Sequence, residues 1–182
     1  MSEIKIYNLR IVPSPPVLDD VENFKSSFIE TFGKQPLSKS KPHITLAVFE
    51  MDSKYQDILV NVFNQLSSIK KFQLETKGFD IFENNANVLF IKIPLTEDIK
   101  LIHKNIKILW IRDLHRKERT IIIPDVPHMT ISKTYNNKTL HESLDFFQKM
   151  NYPNKHFEID HLTLISRPHG KTWDWEHQIK LS

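Results

Sequence analysis

Two short stretches of the chain share the order proline, histidine, apolar residue, threonine, apolar residue. The first reads PHITL at 42–46 and the second reads PHMTI at 127–131. A free imidazole titrates near about pH 6.5, so one ring can be neutral and another protonated close to neutral pH. The neutral ring can take a proton from an attacking water or hydroxyl, and the protonated ring can give one to a leaving oxygen. Two such histidines are well suited to phosphodiester chemistry.

The spacing within each motif places the histidine and the threonine on the same face of a β-strand, because side chains alternate with a period of two. In the first strand one face holds His43 and Thr45, and the other holds Ile44, Leu46 and Val48. In the second strand one face holds His128, Thr130 and Ser132, and the other holds Met129 and Ile131. The apolar faces belong in the core. Buried polar side chains need partners, so we predict that the two polar faces meet across a groove. Each threonine hydroxyl could there donate a hydrogen bond to a non-bridging phosphate oxygen.

One His-x-Thr is a weak signal, and two ordinary strands with satisfied histidines are the structural alternative. Two copies, each preceded by proline and set among alternating apolar residues, are much more specific. Phe49 and Phe82 could stack a base near the groove, but core positions are more typical of phenylalanine.

A third stretch, DHLTLI at 160–165, repeats the histidine and the threonine without the proline. His161 and Thr163 share a face with isoleucines, and leucines lie opposite, so this strand is apolar on both sides. We therefore predict a central strand and a structural role for His161. A zinc site formed by His43, His128 and His161 is an alternative that nothing in the spacing requires, and no metal or other cofactor is expected.

The composition is typical of a globular protein with a sizeable core. Of the 182 residues, 40% are hydrophobic and 26% are charged, and the net charge of +3 is small. No apolar stretch approaches the ~20 residues that cross a membrane, and the N-terminus lacks the apolar segment of a secretion signal. The absence of cysteine excludes disulfides and a cysteine nucleophile, and it agrees with a cytoplasmic location. Basic clusters such as HRKER at 115–119 indicate either solvated surface or a positive rim for phosphates.

Apolar periodicity predicts strands and helices that alternate along the chain. Strands are predicted at 4–12, 43–49, 71–77, 79–83, 87–93, 128–134, 156–166 and 173–181. Helices are predicted at 17–32, from 52 or 53 to about 69 with Ile58, Val62, Leu66 and Ile69 on the inner face, at 97–112, and at 138–150. Trp173 and Trp175 share a strand face and are predicted to close one lobe. This order predicts an α+β fold with two related halves.

The twin motifs resemble the two His-x-Thr motifs of the 2H phosphoesterase superfamily, and in particular its RNA 2′,3′-cyclic phosphodiesterase or 2′-5′ RNA ligase-like proteins. Length, motif spacing and element order match along most of the chain. The resemblance implies one two-lobed domain over 1–182, with pseudo-symmetric antiparallel sheets, helices on the outside and a central cleft. It also implies that His43 and His128 are the catalytic pair and that Thr45 and Thr130 bind the phosphate.

A basic residue, usually arginine, follows the second motif in many relatives. Lys133 is the candidate here and the proposed substrate-binding residue. Strict alternation puts Lys133 on the face opposite Thr130, so it needs a twist or a β-bulge to reach a phosphate. A plain surface lysine is the alternative.

The resemblance implies an enzyme that opens 2′,3′-cyclic phosphates of RNA ends or nucleotides without a metal. The expected partners are therefore RNA ends or nucleotide cyclic phosphates and no membrane, and a monomer is the default expectation. Two alternatives stay open: a non-catalytic RNA- or nucleotide-binding module that uses the same cleft, and 2′-5′ RNA ligase activity. The motifs do not decide which histidine is the acid and which is the base.

Overall fold

The computed structural model describes residues 3–83, 86–115 and 120–182, and it confirms an α+β fold. Residues 116–119 of the predicted basic cluster lie outside these ranges. The strands are β1 (Ile4–Ile11), β2 (Ile44–Asp52), β3 (Phe72–Glu75), β4 (Phe79–Phe82), β5 (Val88–Lys92), β6 (Ile121–Ile122), β7 (His128–Lys133), β8 (His156–Ile159), β9 (His161–Pro168) and β10 (Trp175–Lys180). The helices are α1 (Val17–Phe32), α2 (Gln56–Phe63), α3 (Glu97–Leu109) and α4 (Asn137–Gln148).

One antiparallel sheet of eight strands carries both motifs. Its order is β10-β9-β1-β2-β7-β5-β4, with β6 also paired to β2, and β3 and β8 form a separate two-stranded sheet. The two motif strands, β2 and β7, meet through a single residue pair, Ile44 with Met129. Each of them pairs much more extensively with its outer neighbour. The sheet therefore consists of two halves joined at the motifs.

The helices cover one face of both halves of the sheet. On the β7-β5-β4 half, Phe147 of α4 contacts Phe79 and Phe24, with ring centroids 5.2 and 5.9 Å apart. On the other half, the ring of Phe49 lies 5.9 Å from that of Phe63 and 4.9 Å from that of Trp110. Burying large aromatic side chains is a major source of stability, and here it fixes the helices to one face and leaves the opposite face for the site.

Two predicted elements are wrong in detail. The helix predicted from 52 or 53 to 69 is broken into a 3₁₀ turn, α2 and a second 3₁₀ turn. Ile58, which we predicted on the inner face, is 41% exposed, and Leu59 is fully buried. A 3₁₀ helix has three residues per turn instead of 3.6, so the 3₁₀ turns shift the buried face away from the one predicted for a continuous α-helix. The strand predicted at 156–166 is divided at Asp160 between the two sheets. None of the helices within the described ranges is long and apolar enough to span a membrane.

Candidate active site

β2 contains a β-bulge directly after the threonine of the first motif. Its register with β1 skips Leu46, and both Leu46 and Ala47 are fully buried. A bulge of this kind resets the alternation of the strand. His43 and Thr45 keep their shared face, but Val48 comes to the same face instead of the apolar face that we predicted.

β7 has the same irregularity at the equivalent place in the second motif. Its register with β5 skips Ile131, the residue after Thr130. The predicted face of Ser132 is therefore wrong, because the bulge turns that residue into the interior, where it is fully buried. Lys133 moves to the face that holds His128 and Thr130. The bulge that Lys133 requires to share this face is therefore present.

The two motifs lie side by side where the halves of the sheet meet. The pair Ile44–Met129 fixes the antiparallel register. Extending it by one residue in each direction sets His43 opposite Thr130 and Thr45 opposite His128. The sequence predicted two polar faces opposed across a groove; the structure instead makes the four residues neighbours on one face of a continuous sheet.

Both imidazole rings are held by a backbone oxygen two residues earlier in the chain. Nδ1 of His43 lies 2.7 Å from the carbonyl oxygen of Lys41, and Nδ1 of His128 lies 2.8 Å from that of Val126. A carbonyl oxygen only accepts, so Nδ1 of each ring carries a hydrogen and donates it. Within the described residues neither Nε2 has a hydrogen-bond partner, and this nitrogen is the one that can exchange a proton with a ligand.

Two phenylalanines hold the ring of His128 from the side. The centroid of the imidazole lies 4.9 Å from that of Phe82 and 5.1 Å from that of Phe90. The two phenyl rings stack on one another at 4.2 Å. Phe49 is a core residue as predicted, whereas Phe82 is only half-buried and contacts a motif histidine. The aromatic pair restricts how far the ring can turn.

Burial lowers the pKa of both histidines. For His43 the largest cause is the loss of solvation, followed by the positive charge of Arg10, and Lys25 and His128 add smaller effects. The hydrogen bond to the Lys41 carbonyl opposes them, and the resulting pKa is about 4. For His128 burial lowers the pKa against the opposing hydrogen bond to the backbone of Val126. Both rings are therefore neutral at pH 7 in the free protein. A bound phosphate would raise both pKa values, because a nearby negative charge favours the imidazolium.

A groove of about 700 Å³ runs from the motifs across the helix-free face of the sheet. His43, Thr45 and Thr130 line it, whereas His128 and Lys133 are not among the described residues of its lining. Its charged lining residues are Arg10, Lys39, Lys41 and Arg167, with Asp174 and Glu176. One of these carboxylates, Asp174, is paired with Lys5 at 2.9 Å. The groove is therefore cationic and suits an anionic ligand.

The arginines of the groove were not predicted from the sequence. Arg10 is a directly paired neighbour of Thr45 across β1 and β2, yet no motif marks it. The available signal was the alternation of Asn8 and Arg10 with apolar residues in β1. Polar residues at every second position of a central strand indicate a face that is not packed against the core.

A short chain of hydrogen bonds orients the hydroxyl of Thr45. Nε of Arg10 donates to Oδ1 of Asn8 at 3.0 Å, and Nδ2 of Asn8 donates to Oγ1 of Thr45 at 3.5 Å. Because the amide nitrogen only donates, the threonine oxygen accepts. Its own hydrogen is then left for a ligand in the groove.

Lys25 on α1 connects the segment before the first motif to the bulge of the second. Its amine donates to the Leu37 carbonyl at 3.1 Å, to Oγ of Ser40 at 3.2 Å and to the Ile131 carbonyl at 2.9 Å. The residue is only 5% exposed, and burial lowers its pKa to about 8. These contacts make Lys25 a residue that positions both motifs.

We expect Lys25→Met to lower the free energy of unfolding by about 1–3 kcal/mol, because it removes three hydrogen bonds, among them the buried one to the Ile131 carbonyl. Urea denaturation measures this change. The matched control is Lys138→Met on the exposed surface of α4, for which we expect a change within about 0.5 kcal/mol. Equal stability of the two variants would show that the three hydrogen bonds contribute nothing net.

The third copy of the motif reaches the groove with its threonine but not with its histidine. Nδ1 of His161 is bonded to the carboxylate of Asp160 at 2.5 Å, and β9 is an inner strand of the sheet. Thr163 does line the groove, where it pairs with Arg10. Within residues 3–83, 86–115 and 120–182, no three histidine, aspartate or glutamate side chains are close enough together to hold a metal.

Both C-terminal tryptophans line the groove, but only Trp175 belongs to a strand, so the predicted shared strand face does not hold for Trp173. Trp175 packs against Tyr7 with ring centroids 6.4 Å apart. Trp173 is 41% exposed and lines the groove. It lies in the turn before β10, where strand alternation does not apply.

The fold and the paired motifs define a two-lobed α+β protein with a cationic groove. The chain belongs to the 2′-5′ RNA ligase superfamily, whose family model matches residues 13–171, and the resemblance to 2H phosphoesterases is thereby confirmed. It is 23% identical over 171 residues to a protein of Geobacillus sp. (strain WCH70) that is provisionally named a phosphoesterase, covering 92% of this chain and 91% of that one. It is 27% identical over 130 residues to one of Staphylococcus epidermidis with a similar name, covering 70% of each.

Solved structures show the same fold at low identity. LigT of Escherichia coli in its apo form superimposes with a TM-score of 0.68 at 12% identity, over 98% of this chain and 99% of that chain. Usb1 of Kluyveromyces marxianus superimposes with a TM-score of 0.51 at 14% identity, over 98% of each chain.

Proposed function

We propose that this protein opens 2′,3′-cyclic phosphates of RNA ends or nucleotides by two-histidine acid–base catalysis. The observation that carries the proposal is the patch at the joint of the sheet, where two imidazoles with free Nε2 atoms alternate with two threonine hydroxyls beside a cationic groove. Structures of LigT in complex with 3′-AMP and with phosphate support the use of this fold for nucleotides.

His43 is the general base in this proposal. Its neutral Nε2 takes a proton from a water molecule, whose oxygen forms a bond to phosphorus as the bond from phosphorus to a ribose oxygen breaks. His128, protonated on Nε2, gives its proton to that leaving oxygen. The assignment follows from charge: the cations Arg10 and Lys25 act on His43, whereas neither contributes to the pKa shift of His128. His128 is therefore the easier ring to protonate.

The threonines and Lys133 are proposed to bind the phosphate. The hydroxyls of Thr45 and Thr130 donate to its non-bridging oxygens, where negative charge develops. Lys133 shares the face of His128, and its amine is a point charge for the same anion.

Hydrolysis of nucleoside 2′,3′-cyclic phosphates in the presence of EDTA tests the proposal. The wild-type protein should turn the substrate over without an added metal, and phosphorus NMR should identify a single phosphomonoester product. Salt-sensitive RNA binding without turnover would instead favour a binding module. Joining of RNA ends under the same conditions would favour the ligase direction.

With RNA or nucleotide substrates and no cysteine, the expected compartment is the cytoplasm.

We expect the pH optimum of kcat/KM to lie on the acidic side of neutrality. The reaction needs neutral His43 and protonated His128, and kcat/KM reports the pKa values of the free protein. Activity should fall as pH drops through about 4, where His43 is protonated, and it should fall again as pH rises through the lowered pKa of His128. Initial rates at low substrate concentration across this range measure the profile. An optimum above about pH 7 would contradict the assignment.

A further inference from the structure

The end of the groove beyond Thr45 holds a cluster of side chains to which the proposed chemistry gives no contact with the substrate. This arginine subsite consists of Arg10 on β1, Arg167 on β9 and Trp173 in the turn between β9 and β10. Cζ of Arg10 lies 4.9 Å from the centroid of the tryptophan ring, and Cζ of Arg167 lies 4.7 Å from it. A single aromatic ring therefore brings two guanidinium groups together.

Arg10 carries a buried positive charge. It is 5% exposed, and its guanidinium donates from Nε to the neutral amide of Asn8. No carboxylate of the described residues forms an ion pair with it within 4 Å. Burial lowers its pKa to about 10, with Glu176 opposing and Arg167 adding to the shift. A buried charge of this kind is costly unless an opposite charge compensates it.

Arg167 also has unused donors. Its Nη1 donates to the carbonyl oxygen of Lys171 at 3.3 Å, while its buried Nε has no hydrogen-bond partner in the described structure. Unsatisfied buried donors are uncommon in proteins. The side chain likewise forms no ion pair within the described ranges. Two guanidinium groups, both available for hydrogen bonds, thus face the same space.

We propose that the arginine subsite binds a second phosphate group of the substrate, next to the one at the motifs. The inference rests on the proposed function and narrows it to cyclic phosphates that carry a further phosphate. Guanidinium groups bind phosphate oxygens in bidentate geometry, which a lysine cannot reproduce. Arg10 pairs with Thr163 on β9. The Cα atom of Arg167 lies four residues further along β9, about 13 Å from that of Thr163, so the subsite extends along the strand away from the motifs. The groove of about 700 Å³ is within the range of sites that hold drug-sized ligands rather than a lone anion.

Arg167→Gln tests the subsite without touching the motifs. The substrates are adenosine 2′,3′-cyclic phosphate, the same compound with a 5′-phosphate, and the dinucleotide with a terminal cyclic phosphate. The wild-type protein should favour the last two by about tenfold or more in kcat/KM. The variant should lose this preference and keep its activity on the first compound. Lys171→Gln, which removes the same charge from a nearby exposed residue outside the groove lining, should retain the preference.

Calorimetric binding of 2′-AMP and of adenosine 2′,5′-bisphosphate gives an answer that does not depend on turnover. The bisphosphate should bind about tenfold tighter to the wild-type protein but not to Arg167→Gln. If only the compounds with a terminal second phosphate gain affinity or kcat/KM, the second anion is a terminal phosphate. If only the dinucleotide gains kcat/KM, the second anion is an RNA phosphodiester. Equal ratios in wild type and Arg167→Gln would overturn the inference. Absence of turnover with an intact binding ratio would overturn the proposed function and leave the subsite standing.

Discussion

His43→Ala and His128→Ala are each expected to reduce kcat for cyclic phosphate hydrolysis by about 10²–10⁴-fold, the range for loss of one general acid or base. The two rings are held alike through Nδ1, so each variant removes one Nε2 and leaves the strand register unchanged. Steady-state kinetics measure the loss, and circular dichroism shows whether each variant is folded.

The pH profiles of these variants distinguish their roles. Residual activity of His43→Ala should lose the acidic limb of the profile, and that of His128→Ala should lose the alkaline limb, because each limb reports one group. The double variant should be little worse than either single one, since residues that act as a unit are not additive.

His161→Ala is the matched control within the same chain. It removes a histidine with the same His-x-Thr context from an inner strand of the sheet, at a position outside the groove lining. We expect its activity to stay within a few-fold of the wild type. A loss as large as that of His128→Ala, or full activity of either motif variant, would contradict the assignment of the catalytic pair.

The fold and the motif residues could be predicted because they depend on patterns between residues close together in sequence. α1 has its predicted bounds, since apolar spacing marks its interior and Gly33, with a φ of 78°, ends it by donating to the Ile29 carbonyl at 2.9 Å. The shared face of each histidine and threonine needs only three residues of regular strand. Neither signal depends on long-range contacts.

The bulges could not be predicted from alternation. An extra residue in a strand leaves apolar residues adjacent in sequence, as in Leu46 and Ala47, which looks like any other apolar pair. The consequence was an error in the faces of Val48 and Ser132, whereas Lys133 shares the face of His128 because the bulge that it required is present. The arginine subsite could not be predicted either, because Arg10 and Arg167 are distant in sequence and come together only through strand pairing and through Trp173.

Thr45→Val and Thr130→Val are each expected to lower kcat by about 10²-fold or more, the cost of removing one donor to developing charge. Valine has nearly the shape of threonine, so the substitution removes the hydroxyl and little else. Thr45 accepts from Asn8 at 3.5 Å, which leaves its hydrogen for the phosphate.

The division of the loss between kcat and KM decides what the hydroxyls do. If they stabilise the transition state, kcat falls and KM changes little; if they bind the ground state equally well, KM rises and kcat is unchanged. Thr45→Ser and Thr130→Ser keep the donor and should restore most of the activity. Loss of activity in the serine variants as well would point to the threonine methyl group, and therefore to packing beside the bulge, as the feature that matters. Because the register sets each threonine opposite the histidine of the other motif, we expect either valine variant to impair the whole site rather than half of it.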